Sequence, residues 1–152
     1  MGGPRHYLQE GGFSETKYYA VGDSITANGI TAKVVTMIDE DVLFHSSLPQ
    51  YSSTSQMYLK RSEKGDNEII QARFFQNRKA ICDFDWGHFH GDLEKGVVHI
   101  HLYSYKEDGT IDRNACMTRY LNNEEIKRFG PVLKKANPNV KFRPRHASHT
   151  DI

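Results

Sequence analysis

Between Asp83 and His101 the chain places four of its eight histidines and four acidic residues within 19 positions. The stretch opens Asp83-Phe84-Asp85-Trp86-Gly87-His88-Phe89-His90-Gly91-Asp92 and closes His99-Ile100-His101. Histidine has an ordinary pKa close to neutrality, so a cluster of it suits proton transfer or metal ligation. His99 and His101 are two apart, and on an extended strand such side chains point to the same side. They could share one ligand, one phosphate or one metal ion. Asp83 and Asp85 repeat the spacing. A carboxylate beside an imidazole can accept its second N–H and fix its orientation. Asp85 lies nearer the loop histidines and is the stronger candidate for that role.

Two chemistries use these residues. In the first, histidines act as acid and base near neutral pH while a cation steadies a phosphorane-like transition state. His88, His90, His99 and His101 are the candidate proton carriers. Arg73, Arg78, Lys95 and Arg119 are the candidate cations, with Arg73 foremost because it projects from a strand expected beside Asp83. This route needs no cofactor. In the second, the same imidazoles and carboxylates hold a divalent metal ion. Asp-x-Asp-x-x-His-x-His followed by His-x-His supplies enough N and O donors, but matches no local ligand signature such as His-Glu-x-x-His. Trp86 and Phe89 could stack on a base, or simply anchor the loop and the core.

The elements that would position these groups follow from periodicity. Ile70, Ala72 and Phe74 alternate with Gln71, Arg73 and Phe75, which is a strand pattern. Asn77-Arg78 marks a turn. Ala80, Cys82, Phe84 and Trp86 form one apolar face, with Asp83 and Asp85 on the other. A glycine-containing loop runs from Gly87 to Gly96. In the β-prone run Val97–Tyr105, Val98, Ile100 and Leu102 share one face and His99, His101 and Tyr103 the opposite one. A three-stranded meander results, with Asp83 and Asp85 beside His99 and His101 if the polar faces coincide. A slip of one residue would separate them.

Upstream, Asn28-Gly29 between Ser24-Ile25-Thr26 and Ile30-Thr31-Ala32 predicts a tight hairpin. Asp39-Glu40-Asp41 predicts a second, ending in Val42-Leu43-Phe44. Ser46 to Ser55 is expected to be a loop, and Glu107-Asp108-Gly109-Thr110 a turn. Downstream, Asn122 and Asn123 can cap a helix with Glu124 and Glu125 in its first turn. Ile126, Phe129, Leu133 and Ala136 give it an apolar stripe. Gly130-Pro131 predicts a kink or two short helices, and Asn137-Pro138 ends the element.

The 152 residues suit one domain. The expected division is an irregular lead-in over 1–16, one α+β domain over 17–138, and a basic, flexible tail over 139–152. With 20 Lys+Arg against 19 Asp+Glu, the overall charge does not announce a nucleic-acid binder. Cys82 and Cys116 are the only cysteines; they lack zinc spacing and read as reduced structural thiols. There is no secretory h-region and no apolar run long enough to span a membrane, so a soluble chain is expected.

Arg73-Phe74-Phe75, Lys79-Ala80-Ile81-Cys82-Asp83-Phe84-Asp85, His88 and His99-Ile100-His101 together resemble the C-terminal toxin domains of bacterial polymorphic (contact-dependent) toxin systems. The likeness covers positions 70 to 101, about a fifth of the chain, and extends more weakly through the Glu124–Pro138 helix. It departs from the family pattern at Val98, where proline is usual before His-x-His, and at His88-Phe89-His90-Gly91, where His-Gly is usual. The resemblance implies a ribonuclease related to the barnase, EndoU and RelE group. It also implies delivery into a target cell's cytoplasm as part of a larger toxin, and a cognate immunity protein.

The expectation is therefore an α+β antiparallel meander with a C-terminal helical segment. Its leading function is a metal-independent ribonuclease with RNA as substrate. His88, His90, His99, His101 and Asp85 would be catalytic, with Arg73, Lys95 and Arg119 on the substrate. The alternatives are a metal-dependent hydrolase or nuclease using the same cluster, and a non-enzymatic phage or mobile-element module that binds a partner.

Overall fold

The computed structural model describes residues 5–7, 17–37, 48–52, 56–62, 66–87 and 93–143. Among the described residues, eight strands form one sheet: β1 Arg5–Tyr7, β2 Lys17–Ala27, β3 Ile30–Met37, β4 Met57–Arg61, β5 Ile69–Gln76, β6 Lys79–Asp85, β7 His99–Leu102 and β8 Met117–Tyr120. They lie side by side in sequence order. Every neighbouring pair is antiparallel except β3–β4, which is parallel. One helix, α1 Asn123–Ala136, follows. The α+β class, the β5–β6–β7 meander and the C-terminal helix are as expected. The Asp39–Asp41 turn and Val42–Phe44 lie outside the described residues.

Two tight turns set the registers. Asn28 and Gly29 both have positive φ, 53° and 78°, as the turn between β2 and β3 demands. Asn77 and Arg78 do the same between β5 and β6, at 52° and 68°. Arginine is unusual in that region, and its side chain is tied down by a bond from Nε to Ser52 O at 3.3 Å. Because β3 and β4 are parallel, the chain between them must travel back along the sheet. Part of that return, 48–52, runs past the β5–β6 turn, with Ala80 N donating to Gln50 O at 2.8 Å and Ser52 N to Arg78 O at 2.9 Å.

The main core lies between the sheet and α1. Met57, Leu59, Phe74, Phe84 and Ile100 meet Phe129, Val132 and Leu133 of the helix. Phe129 packs edge-on to Phe74 with ring centres 5.0 Å apart, and tilted against Phe84 at 4.7 Å. Each such side chain contributes about 1.5–3 kcal/mol of burial. A smaller cluster, Val35, Leu48, Tyr58, Phe75 and Ala80, occupies the opposite face. Ala80 therefore belongs to the other side from Cys82 and Phe84, contrary to the alternation expected. The register slips between Phe74 and Phe75, which oppose Cys82 and Ala80, so Ile81 is the extra residue of a bulge.

Helix α1 is capped as the sequence predicts. Asn122 Oδ1 accepts from Glu125 N at 2.8 Å, and Glu125 Oε1 accepts from Asn122 N at 2.9 Å. The expected break at Gly130-Pro131 is absent: α1 is continuous with Pro131 inside it. Proline removes the N–H that would bond Lys127 O. Asn28 Nδ2, from the β2–β3 turn, donates instead to Lys127 O at 3.2 Å and to Arg128 O at 3.0 Å. A turn residue thus stands in for the missing helical donor. Asn28→Gly, which keeps the backbone freedom but removes the amide, is expected to cost about 1–2 kcal/mol in urea denaturation. An unchanged midpoint would mean that water replaces Asn28 without loss.

Both expected ends need correction. Within 1–16, Arg5–Tyr7 pairs with β2. Within the expected tail, Val140 is 1% exposed and its carbonyl accepts from Lys134 Nζ at 2.7 Å. Lys141 bridges Val97, with Val98 N donating to Lys141 O at 2.8 Å and Lys141 N to Gly96 O at 3.1 Å. Val140 and Phe142 alternate with Lys141 and Arg143, a short strand-like pattern that binds this segment to the start of β7. Residues 144–152 lie outside the description.

Candidate functional site

The register of the sheet decides whether the polar groups meet. Reading across the strands, Lys33, Tyr58, Arg73, Asp83, His101 and Thr118 are successive partners from β3 to β8. A second row, Lys60, Gln71, Asp85, His99 and Tyr120, runs beside it from β4 to β8. Side chains two apart share a face, so both rows lie on the face opposite α1. Asp83 opposes His101 and Asp85 opposes His99. The convergence that the sequence suggested is present.

The centre of the first row is an ion pair in the interior. Arg73 Nε donates to Asp83 Oδ1 at 2.6 Å and Nη2 to Asp83 Oδ2 at 2.9 Å. Nη1 donates to Leu48 O and, at 3.0 Å, to Pro49 O. Nη2 also donates to the Tyr103 hydroxyl at 2.8 Å. Tyr103 passes a hydrogen bond on to Asp83 Oδ2 at 2.5 Å, and Gln71 Nε2 donates to the same oxygen at 3.1 Å. The guanidinium has five N–H donors, and these contacts engage them. The phosphate contact expected for Arg73 would require breaking this buried network. Its observed work is to join β5, β6 and Tyr103, just after β7, to the 48–52 segment.

Burial drives the Tyr103 phenol well above its ordinary value, against the lowering influence of the Arg73 charge; the neighbouring Asp83 carboxylate raises it further. Tyr105 is likewise pushed up to about 12, chiefly by burial, and donates to Ala80 O at 2.5 Å. Below the ordinary tyrosine value of 10.0, folded and unfolded chains both hold the Tyr103 proton, and its stabilising contribution is intact. Above it the unfolded chain releases that proton first, so stability falls as pH rises. Urea midpoints are therefore expected to drop as pH rises above about 10, with a shallower drop for Tyr103→Phe. An equal slope in the variant would remove Tyr103 from the account.

The two strand histidines differ in access. His99 is fully buried at 0% exposure, whereas His101 is half-buried. His101 Nδ1 lies 2.7 Å from Thr118 Oγ1, and its ring meets Tyr103 edge-on with centres 5.1 Å apart. With hydrogen on Nδ1, Thr118 accepts and Nε2 is the basic nitrogen; in the other tautomer Thr118 donates. Either way the ring orientation is fixed. Asp85 is buried, and its Oδ1 accepts from Gly87 N at 3.0 Å, capping the end of β6.

Of the remaining candidates, Lys95 is exposed in the turn that leads into β7. Arg119 sits between Thr118 and Tyr120 and therefore projects to the helix face, where it grips Glu125 at 2.7 and 3.0 Å. Strand alternation removes it from the histidine face, contrary to its expected role on the substrate. Arg78 holds a turn. Trp86 is buried and donates to Ile69 O at 3.0 Å, so it anchors the base of the loop. His88, Phe89 and His90 lie outside the described residues.

Sequence reasoning undervalued Asp83, which holds the centre of the network, and missed Thr118. Asp83 was visible as the partner of Arg73 in a two-strand pattern. Thr118 gave no signal, because the four residues of β8 carry no strong alternation of their own. Among the described residues, no group of three or more His, Cys, Asp or Glu could hold a metal ion, and no helix is long and apolar enough to cross a membrane. No family model, curated protein or solved structure matches the chain.

Proposed function

We propose that the histidine face is the active site of a ribonuclease that works without a metal ion, and that His101 is its principal proton-transfer group. One observation carries this reading: His101 is half-buried, held by Thr118 at 2.7 Å, and placed directly across from Asp83 on the neighbouring strand. An oriented imidazole at a partly open position is what general acid–base catalysis requires. RNA supplies its own nucleophile, the ribose 2′-hydroxyl. One group then takes that proton, and another protonates the leaving oxygen. His88 and His90 are the sequence candidates for the second role. His99, closed off from solvent, serves as a packing and positioning group, and Lys95 is the remaining candidate for contact with phosphate.

The likeness to polymorphic toxin domains supports the same chemistry. It further suggests a bacterial toxin module carried into a target cell by a larger protein and held in check by an immunity protein. The direct test is cleavage of total RNA and tRNA by the purified chain, with and without EDTA. Cleavage that survives EDTA is the expected result. Cleavage lost on chelation and restored by one divalent ion would transfer the same residues to a metal centre. Intact RNA after incubation with folded protein would overturn the enzymatic reading in favour of a partner-binding module.

A further inference from the structure

The helix-covered face holds a cavity of about 270 Å³ between β6, β7 and the first turns of α1. Ile81, Ile100, Leu102 and Phe129 make it apolar. Cys82 also lines it; burial raises its thiol far above the ordinary value, so it stays protonated and presents apolar surface. The bulge in β6 contributes directly, since it turns Ile81 to this side while Ala80 goes to the other.

The polar rim is divided. Glu125 is committed to Arg119 and to the N-terminal cap of α1. Glu124 and Arg128 are exposed, line the same cavity and are one helical turn apart. An acid four residues before a base on a helix is within reach of an ion pair. Among the described residues, these two form none within 4.0 Å. Arg128 instead rests its guanidinium 5.1 Å from the centre of the Phe74 ring and 4.8 Å from that of Phe129. The mouth of an apolar cavity therefore carries a separated anion and cation.

We infer that this cavity binds a free apolar α-amino acid. The side chain enters between Ile100, Leu102 and Phe129, the carboxylate meets Arg128, and the ammonium group meets Glu124. The volume lies near the lower limit of roughly 300 Å³ for small-molecule pockets, which restricts the ligand to a small one. An apolar acid or an apolar amine would engage one rim charge and leave the other without its counterpart. An α-amino acid carries both charges on one carbon, next to the side chain. The inference does not depend on the ribonuclease reading, because the two sites occupy opposite faces of the sheet.

The test is methyl NMR of the full chain titrated with L-leucine, 4-methylpentanoate, 3-methylbutylamine and glycine. Leucine is expected to give saturable shifts at Ile81, Ile100 and Leu102. Each single-charge analogue should bind about tenfold more weakly, the scale of one charged hydrogen bond, and glycine should leave those methyls unmoved. Arg128→Gln and Glu124→Gln change exposed positions and should each weaken leucine about tenfold. No saturable shift at the cavity methyls, or leucine binding no tighter than either analogue, would overturn the inference.

Discussion

Asp83→Ala is expected to lower the stability of the chain by about 3–5 kcal/mol, the usual cost of leaving one member of a buried ion pair without its partner. The substitution strands the Arg73 guanidinium, which is 9% exposed, and removes the acceptor shared by Arg73, Tyr103 and Gln71. Arg73→Ala should cost at least as much, because Leu48 O and Pro49 O lose their donor as well. The double variant is the informative one. If the pair acts as a unit, its loss falls short of the sum of the two single losses by a coupling of about 1–3 kcal/mol. Urea denaturation of the four proteins measures this directly. Strict additivity would mean that each residue contributes through its other partners, and the ion pair would lose its central place in the fold.

The second large effect separates the two strand histidines. His101→Ala is expected to reduce RNA cleavage by about 10²–10⁴-fold, the range for a positioned acid or base, with little change in stability. His99→Ala should do the reverse. It opens a hole at a fully buried position and is expected to destabilise by about 2–4 kcal/mol. At a temperature where it remains folded, it should retain most of its cleavage. Thr118→Val keeps the shape but removes the hydroxyl beside His101 Nδ1. It should lower the maximal rate more than it alters the concentration of RNA needed for half of it. Equal loss of cleavage in the His99 and His101 variants at matched stability would contradict the division of roles drawn here.

Much of the fold was legible because local chemistry and long-range packing agree. Asn28-Gly29 is a turn for the reason the sequence suggests, and Asn77-Arg78 is the turn expected there; all four residues have positive φ. Asn122 and Glu125 form the cap that their spacing predicts. Legibility fails where a distant residue supplies what the local sequence lacks. Pro131 should interrupt a helix on its own, but the Asn28 amide across the molecule satisfies the carbonyl it exposes. β4 went unrecognised because Met57-Tyr58-Leu59 has no alternation in polarity. The strand is buried on both faces, with all three residues at 0% exposure. At the site, alternation correctly placed aspartates and histidines on one face. Burial could not be read from types alone. Arg73 and His99 carry the chemistry of a surface site and have the accessibility of core residues.

The single parallel step between β3 and β4 has a consequence for the order in which the molecule is made. It divides the sheet into two runs, β1–β3 and β4–β8, each contiguous in sequence. The element that fastens them, α1, follows the strands of both runs in the sequence. Helix α1 belongs to the second run, yet Lys135 Nζ donates to Thr26 O at 3.0 Å, and Lys127 O accepts from Asn28 in the first. The early hairpin can pair its strands as soon as it emerges, but it cannot be clamped until α1 has been made. A nascent chain halted before Asn122 would then carry a sheet without its clasp, and proteases should cut it far more readily than a chain extended through α1.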